Sequence, residues 1–344
     1  MSKSSVEKWE AYFSDLGINQ DYIREYIDYA GPMLRAGVPP IFEDVHLSLL
    51  IGRDLGTLYA MVFGTGKFYR SFTIRKRRGG KRLIQSPYPS MLECQKWISE
   101  HILQKSQVSR CATGFRRNQS ILRNASLHCK RDVLLKLDIK DFFPSISVNR
   151  VIDIFNSFGF PPNISFLLGR LCTLNGRLPQ GAATSPIVSN IICKQMDDRL
   201  YSLCLSKNLR YTRYADDIAI SGVQIEVGTN YLIREIINAE GFLINEEKTR
   251  ICGPRDKKIV TGLDITAGKP RLTRSYRREL QRDVYFVWSA GLASHLSKRK
   301  IFNPNYMEHL QGKIAFWESI EPESAQMKKC KDRVSKIRRL MNKM

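Results

Sequence analysis

No CxxC pair and no close Cys/His ligand spacing occurs among the eight cysteines, Cys94, Cys111, Cys129, Cys172, Cys193, Cys204, Cys252 and Cys330. A disulfide framework and a zinc site are therefore not expected, and scattered reduced thiols in a core are. No serine sits on a GxSxG elbow and the five histidines are dispersed, so no nucleophilic triad is on offer. The polar start MSKSSVEKWE lacks the apolar segment of a signal peptide, and no apolar run approaches a membrane span in length. A cytoplasmic protein with no membrane partner is the expectation. Acidic residues are scarce beside basic ones: 33 Asp+Glu face 55 Lys+Arg, a net charge of +22 with a pI near 9.8. Such a surplus attracts phosphate backbones, although a ribosomal or membrane-surface protein shows the same balance. With 344 residues, 43% of them hydrophobic, the chain can bury a sizeable core in two or three subdomains, which excludes bulk disorder.

Against that scarcity, carboxylates that cluster carry information. In YTRYADDIAISG, Tyr211 to Tyr214 and Ile218 to Ser221 have the β-branched and aromatic content of two short strands, so Ala215, Asp216 and Asp217 fall at a hairpin tip. Two like charges there repel unless cations sit between them; ordinary turn chemistry is the alternative. In LLKLDIKDFFPSIS, the apolar run from Val133 to Ile139 is interrupted by Lys136 and then by Asp138. A carboxylate in a stretch of buried-strand character is disfavoured unless it is paired or metal-bound. Mg2+ takes a few carboxylates and leaves its other positions to water and phosphate oxygens, so Asp138, Asp216 and Asp217 can supply a two-metal site for phosphoryl transfer.

The rest of the chain supplies a frame. Val6 to Leu16 and Asp21 to Ala30 carry apolar residues at helical spacing, with Gly31-Pro32 and Pro39-Pro40 as breaks. FYRSFTIRKRRGGKRLIQSP alternates apolar and basic residues around Gly79-Gly80, which predicts a two-stranded hairpin with a basic tip. A helix is expected from Met91 to about Lys105, and Leu178-Pro179-Gln180-Gly181 precedes another that contains Ile187, Val188, Ile191 and Ile192. Asn124 and His128 lie four apart, on one face if that segment is helical. Residues 269 to 344 hold 18 Lys+Arg against 7 Asp+Glu, a balance of +11 in under a quarter of the chain. There Arg271, Arg274, Arg277, Arg278 and Arg282 recur at spacings of three and four, a basic stripe on a helix. Tyr285, Phe286, Trp288, Phe316 and Trp317 are expected in this module's own core rather than stacked on bases.

Taken in order, LDIKDFFPSIS, LPQGAATSPIVSNIIC, YADD, GFLINEEKT and VTGL resemble the successive palm motifs of a reverse transcriptase, over about residues 70 to 265. Asn124-Ala125-Ser126-Leu127-His128 resembles the NAxxH signature, and Val260-Thr261-Gly262 the VTG signature, of bacterial retron reverse transcriptases. Other defence-associated or group II intron-like reverse transcriptases share the palm motifs. The resemblance implies an α+β fold, a right-hand polymerase with fingers, a palm of antiparallel sheet plus helices, and a helical thumb. The domains would be an N-terminal helical region over 1–65, fingers and palm over 66–265, and a basic thumb over 266–344.

The resemblance also implies roles. Asp138, Asp216 and Asp217, with Ile139 in the metal set, would hold two Mg2+ ions, with Mn2+ a possible substitute. Lys248 would be the general acid beside the leaving pyrophosphate, or a solvated surface lysine. Arg75 and Arg82 would contact the incoming triphosphate. Asp141 would support that site, Gln180 and Gly181 would bind the nucleotide, and the Phe143 ring would leave no room for a 2′-hydroxyl. Asn124 and the basic set Arg271, Arg274, Arg277 and Arg278 would touch RNA, and His128 would have an RNA-contacting or structural role. Implied partners are dNTPs, a non-coding RNA that is both template and primer, its branched RNA-linked single-stranded DNA product, and an effector protein encoded nearby in phage defence. Template removal would fall to host RNase H, since no segment beyond the thumb is left to house a nuclease. A rival of another class is an RNA-binding scaffold or antitoxin subunit that restrains an effector.

Overall fold

The computed structural model describes residues 2–75 and 79–341. Four helices lead, α1 (Ser2–Asp15), α2 (Gln20–Ala36), α3 (Asp44–Leu50) and α4 (Leu55–Phe63). Helix α2 does not stop at Gly31-Pro32, as the sequence suggests. It continues to Ala36 with Ala30, Gly31 and Met33 buried, and ends at Gly37, whose left-handed φ of 70° lets its N–H reach back to the Leu34 and Met33 carbonyls. The hydrogen bond lost at Pro32 is outweighed by packing of this face, and glycine supplies the stop. A two-stranded antiparallel hairpin follows, β1 (Tyr69–Arg75) and β2 (Lys81–Pro87), paired from Tyr69 opposite Pro87 to Arg75 opposite Lys81. The expected basic tip falls partly on residues 76–78, outside the described residues. Helix α5 (Pro89–His101) is shorter than expected, and a 3-10 turn over Leu103–Lys105 completes the segment.

After α6 (Ile121–Ser126) come β3 (Val133–Asp138), the single turn α7 (Phe142–Ser145), α8 (Val148–Ser157), α9 (Pro162–Cys172), α10 (Ser185–Ile192) and α11 (Lys194–Ser206). The hairpin β4 (Arg210–Tyr214) and β5 (Asp217–Gly222), helix α12 (Val227–Ala239) and β6 (Arg250–Cys252) complete a four-stranded antiparallel sheet in the order β4-β5-β3-β6. Strand alternation explains the sequence of β3. Leu135 and Leu137 turn to one face and join Ile218 and Ile220 of β5 in the larger core. On the other face Leu134 and, from β5, Ala219, which stands opposite Lys136, join a second core. Lys136 and Asp138 share that second face, so the two polar interruptions are the register of the strand, not defects in it.

A small three-stranded antiparallel sheet, β7 (Ile259–Val260), β8 (Leu263–Asp264) and β9 (Arg271–Leu272), leads into α13 (Arg274–Ala290), α14 (Leu292–Arg299), α15 (Tyr306–Ile320) and α16 (Ala325–Met341). Their core is built on Val260, Leu280, Leu310, Trp317 and Val334. The larger core runs without a break from Met33 and Leu58 through Phe155 to Phe242. The cysteines are all free, and six of the eight are buried. The architecture is α+β, and among the described residues no helix is long and apolar enough to cross a membrane.

Candidate active site

Strand pairing brings the three aspartates together. Tyr214 pairs with Asp217 across the β4–β5 hairpin, leaving Ala215 and Asp216 as the turn, with Ala215 in the left-handed region at φ 56°. Asp138 stands directly opposite Asp217 in the β3–β5 register, and the Ile139 N–H donates to the Asp216 carbonyl at 3.0 Å. Burial, then the charges of Asp217 and Asp138, push the Asp216 carboxyl up to about 6. Asp217 is also raised, by burial first, with Lys136 pulling it down and Asp138 pushing it up. Lys248 Nζ lies 2.7 Å from Asp138 Oδ1, an ammonium already seated on the cluster. Among the described residues no three acidic, imidazole or thiol groups converge on a single point as ligands. The donor set still suits a hard divalent cation: oxygen ligands only, largely buried, and mutually repelling without positive charge between them.

Asp138 and Asp216 open onto a cleft of about 440 Å3, into which Arg82, Ile139, Asp141, Phe143, Gln180 and Lys248 also face, while Asp217 lies outside its lining. The segment after β3 is held to the Lys248 loop by backbone bonds, Asn245 N–H to Asp138 O at 2.8 Å and Lys140 N–H to Leu243 O at 2.8 Å. Asp141 adopts φ 46° and starts α7, which sets Phe143 against Phe115, ring centroids 6.2 Å apart. Gln180 anchors its loop to β2, its carbonyl accepting the Gln85 N–H at 2.9 Å. Gly181, at φ 135°, passes so close to that strand that a Cβ would stand 2.7 Å from the Gln85 carbonyl oxygen. Its glycine is needed for packing against the hairpin, not only for approach to a ligand. Arg75 is exposed beside Lys81 at the end of β1, outside the cleft lining. Phe115, Lys140 and Asn245 line the cleft without having been singled out; Asn245 lies inside the GFLINEEKT segment and could have been found there. A second hollow of about 1020 Å3 adjoins the first at Phe115 and is bordered by Gln104, Arg116, Arg117 and Pro186.

Residues 74–269 match the model of the reverse transcriptase (RNA-dependent DNA polymerase) family. Over 290 residues the chain is 33% identical to the Retron Ec86 reverse transcriptase of Escherichia coli, covering 83% of this chain and 87% of that one. This chain belongs to the retron reverse transcriptases. It is also 32% identical to the Retron Mx162 reverse transcriptase of Myxococcus xanthus, over 75% of this chain but only 59% of that longer relative, and 29% identical to the Retron Mx65 reverse transcriptase of the same organism, over 84% and 75%. As a reverse transcriptase it is an RNA-directed DNA polymerase, acting on an RNA template and nucleotides with divalent metal ions.

The Asn124–His128 and Val260–Gly262 segments meet in this reverse transcriptase. Asn124, on α6, donates to Thr261 Oγ1 of the VTG segment at 3.5 Å, and that hydroxyl also reaches the Ile121 carbonyl at 3.4 Å. His128 lies just beyond α6, with Nδ1 2.7 Å from Ser221 Oγ and Nε2 2.8 Å from Thr212 Oγ1. It ties β4 to β5 behind the aspartate hairpin. Burial, with help from Arg131 and Arg210, lowers its pKa to about 4, so the ring is neutral at physiological pH. Asn124 and His128 are each 1% exposed, so in this structure both side chains are turned inward into a buried polar joint, and of the RNA-contacting or structural role expected for His128 its surroundings match the structural one.

The C-terminal module departs from expectation in two further ways. Arg271 belongs to β9, not to the helical stripe, and Arg277 points back to Glu321 at 3.6 Å, leaving Arg274, Arg278 and Arg282 exposed on α13. Tyr285, Phe286 and Trp288 are 42–51% exposed rather than core, while Trp317 is fully buried and Phe316 packs against the core. The helix lies with Leu280, Val284 and Val287 inward, so its other face carries both the arginines and the aromatic rings.

Proposed function

We propose that this retron reverse transcriptase copies a partner non-coding RNA into single-stranded DNA in a right-hand polymerase, with β1–β2 as fingers hairpin, the four-stranded sheet as palm and α13–α16 as thumb. The observation that carries the reading is the register that puts Asp138 opposite Asp217 with Asp216 at the adjoining turn. Asp138, Asp216 and Asp217 would hold two Mg2+ ions, with the Ile139 backbone beside them. Such ions activate an attacking hydroxyl and neutralise charge developing on the phosphates. Arg82 and Arg75 would steady the triphosphate; Asp141, Gln180 and Gly181 would shape the nucleotide pocket. Phe143 would stack under the sugar and exclude a 2′-hydroxyl. Lys248, paired with Asp138, would give a proton to the leaving pyrophosphate. Arg274 and Arg278, beside exposed Tyr285 and Trp288, suit a backbone-tracking and base-stacking surface for RNA.

The biological product would be branched, RNA-linked single-stranded DNA primed from a guanosine 2′-hydroxyl, made in the cytoplasm, with host RNase H trimming the template. The complex would restrain an effector encoded nearby in defence against phage. The test is Asp216→Asn with Asp217→Asn: extension on an RNA template should fall below detection while RNA affinity stays within about twofold, since the remaining basic surface sets that affinity. Full extension by the double mutant would sink the assignment. Phage protection retained by that mutant would favour the scaffold role over catalysis.

A further inference from the structure

We propose that Arg213 is a positioning residue for polymerisation, gripping from inside the protein the carbonyl that precedes the aspartate pair and so fixing the turn that presents Asp216 and Asp217. Ala215 is a non-glycine residue at φ 56°, a left-handed conformation that persists only with support from its surroundings. Arg213 NH1 donates to the Ala215 carbonyl at 3.1 Å. The same guanidinium is aimed by a bidentate pair with Asp197, Nε to Oδ1 at 2.8 Å and NH2 to Oδ2 at 2.7 Å, and both side chains are fully buried. NH2 also reaches Asn190 Oδ1 at 3.1 Å, and Asn190 Nδ2 donates to the Gly114 carbonyl at 2.9 Å. Tyr211 O–H closes the set on Asp197 Oδ1 at 2.6 Å.

Gly114, itself buried, packs against the same turn: a Cβ there would lie 2.9 Å from the Ala215 nitrogen. One side-chain tether on the Ala215 carbonyl and one close backbone approach to the preceding Tyr214–Ala215 peptide therefore hold the two successive peptides that lead into Asp216. A fully buried ion pair adds little net stability and is often replaceable by apolar residues. Its fork geometry, in contrast, is directional, and displacement of a metal-binding carboxylate by a fraction of an ångström is costly to an in-line reaction.

This inference rests on Asp216 and Asp217 being metal ligands, and the experiment separates the two claims. Arg213→Lys keeps the charge but loses the fork; Gly114→Ala leaves the ion pair intact and crowds the turn. Each purified variant is compared with the wild type in kcat and dNTP KM on a primed RNA template, and in the Mn2+ concentration that gives half the maximal thermal shift without nucleic acid. Both variants should lose roughly 10–100-fold in kcat with KM little changed, as expected for misplacement of reacting groups, and should need several-fold more Mn2+. Wild-type kcat and Mn2+ titration in both would overturn the proposal. If Arg213→Lys does not fold, Gly114→Ala decides alone by the same two readouts. Asp216→Asn is the control: loss of the Mn2+ shift there, with Arg213→Lys unaffected, rejects only the positioning role, whereas a normal shift and normal extension in Asp216→Asn rejects the metal assignment beneath it.

Discussion

Asp216 is a carboxylate held where the fold disfavours its charge. Its carboxyl titrates near 6 in the folded chain against 3.8 for an ordinary aspartate, because burial and two carboxylate neighbours disfavour its charge. Between those values the folded chain binds more protons than the unfolded one. In metal-free buffer, stability therefore falls as pH rises through that interval and stays lowered above it. Asp216→Asn should raise chemical stability in EDTA at pH 7.5 by roughly 1–3 kcal/mol while abolishing extension; a destabilised variant would contradict this. Divalent binding should weaken as pH drops below about 6, where Asp216 takes up its proton. His128 has the opposite sign. Its folded pKa of about 4 lies below the usual 6.5, so its contribution is present above 6.5 and is lost as pH falls toward 4. His128→Ala strands Ser221 and Thr212 in a buried site and should cost about 2–4 kcal/mol in urea unfolding at neutral pH. The aspartates were legible in the sequence because charge inside strand-forming residues has few structural explanations. The place of His128 was not, since its two partners lie 84 and 93 residues away in sequence.

At the scale of elements, hairpins were the most legible parts. Gly79-Gly80 and Ala215-Asp216 both sit where alternating strands must reverse, and both hairpins formed there. Local signals misled where tertiary packing outweighed them: α2 runs through Pro32 because Ala30, Gly31 and Met33 are buried on its inner face. The aromatic residues of α13 were assigned to a core on residue type alone, although helical phase already separates Tyr285 and Trp288 from Val284 and Val287. The contact between Gly181 and β2 links two elements that both border the cleft. Gly181→Ala, clashing with the Gln85 carbonyl and strained at φ 135°, should displace the hairpin that carries Arg82. Its dNTP KM should rise several-fold with RNA affinity unchanged; unchanged KM would show that the loop does not set the hairpin's position.

Across the whole molecule, charge is divided unevenly. Residues 1 to 65 carry 5 Lys+Arg against 9 Asp+Glu, a balance of −4, whereas residues 269 to 344 carry +11. The first helices therefore repel a phosphate backbone, and the RNA surface is expected on the C-terminal module. Arg274→Glu with Arg278→Glu should weaken RNA binding at 150 mM salt by at least tenfold and lower the salt slope by about 0.7–0.9 per lost phosphate contact, with an unchanged slope arguing that these arginines face solvent only. Such a division was readable by counting, but its geometry was not, because the small sheet β7–β9 and the second core tie the basic module back to Leu134 and Ala219 of the four-stranded sheet. The most direct measurement is of the nucleic acid that the protein carries. The chain is purified from cells containing its native flanking DNA, and the extracted nucleic acid is run on a denaturing gel with and without RNase and a debranching enzyme. Copying of a partner RNA from a 2′-hydroxyl predicts a discrete single-stranded DNA, absent from the Asp216→Asn/Asp217→Asn mutant, whose mobility shifts on debranching; RNA alone would contradict it.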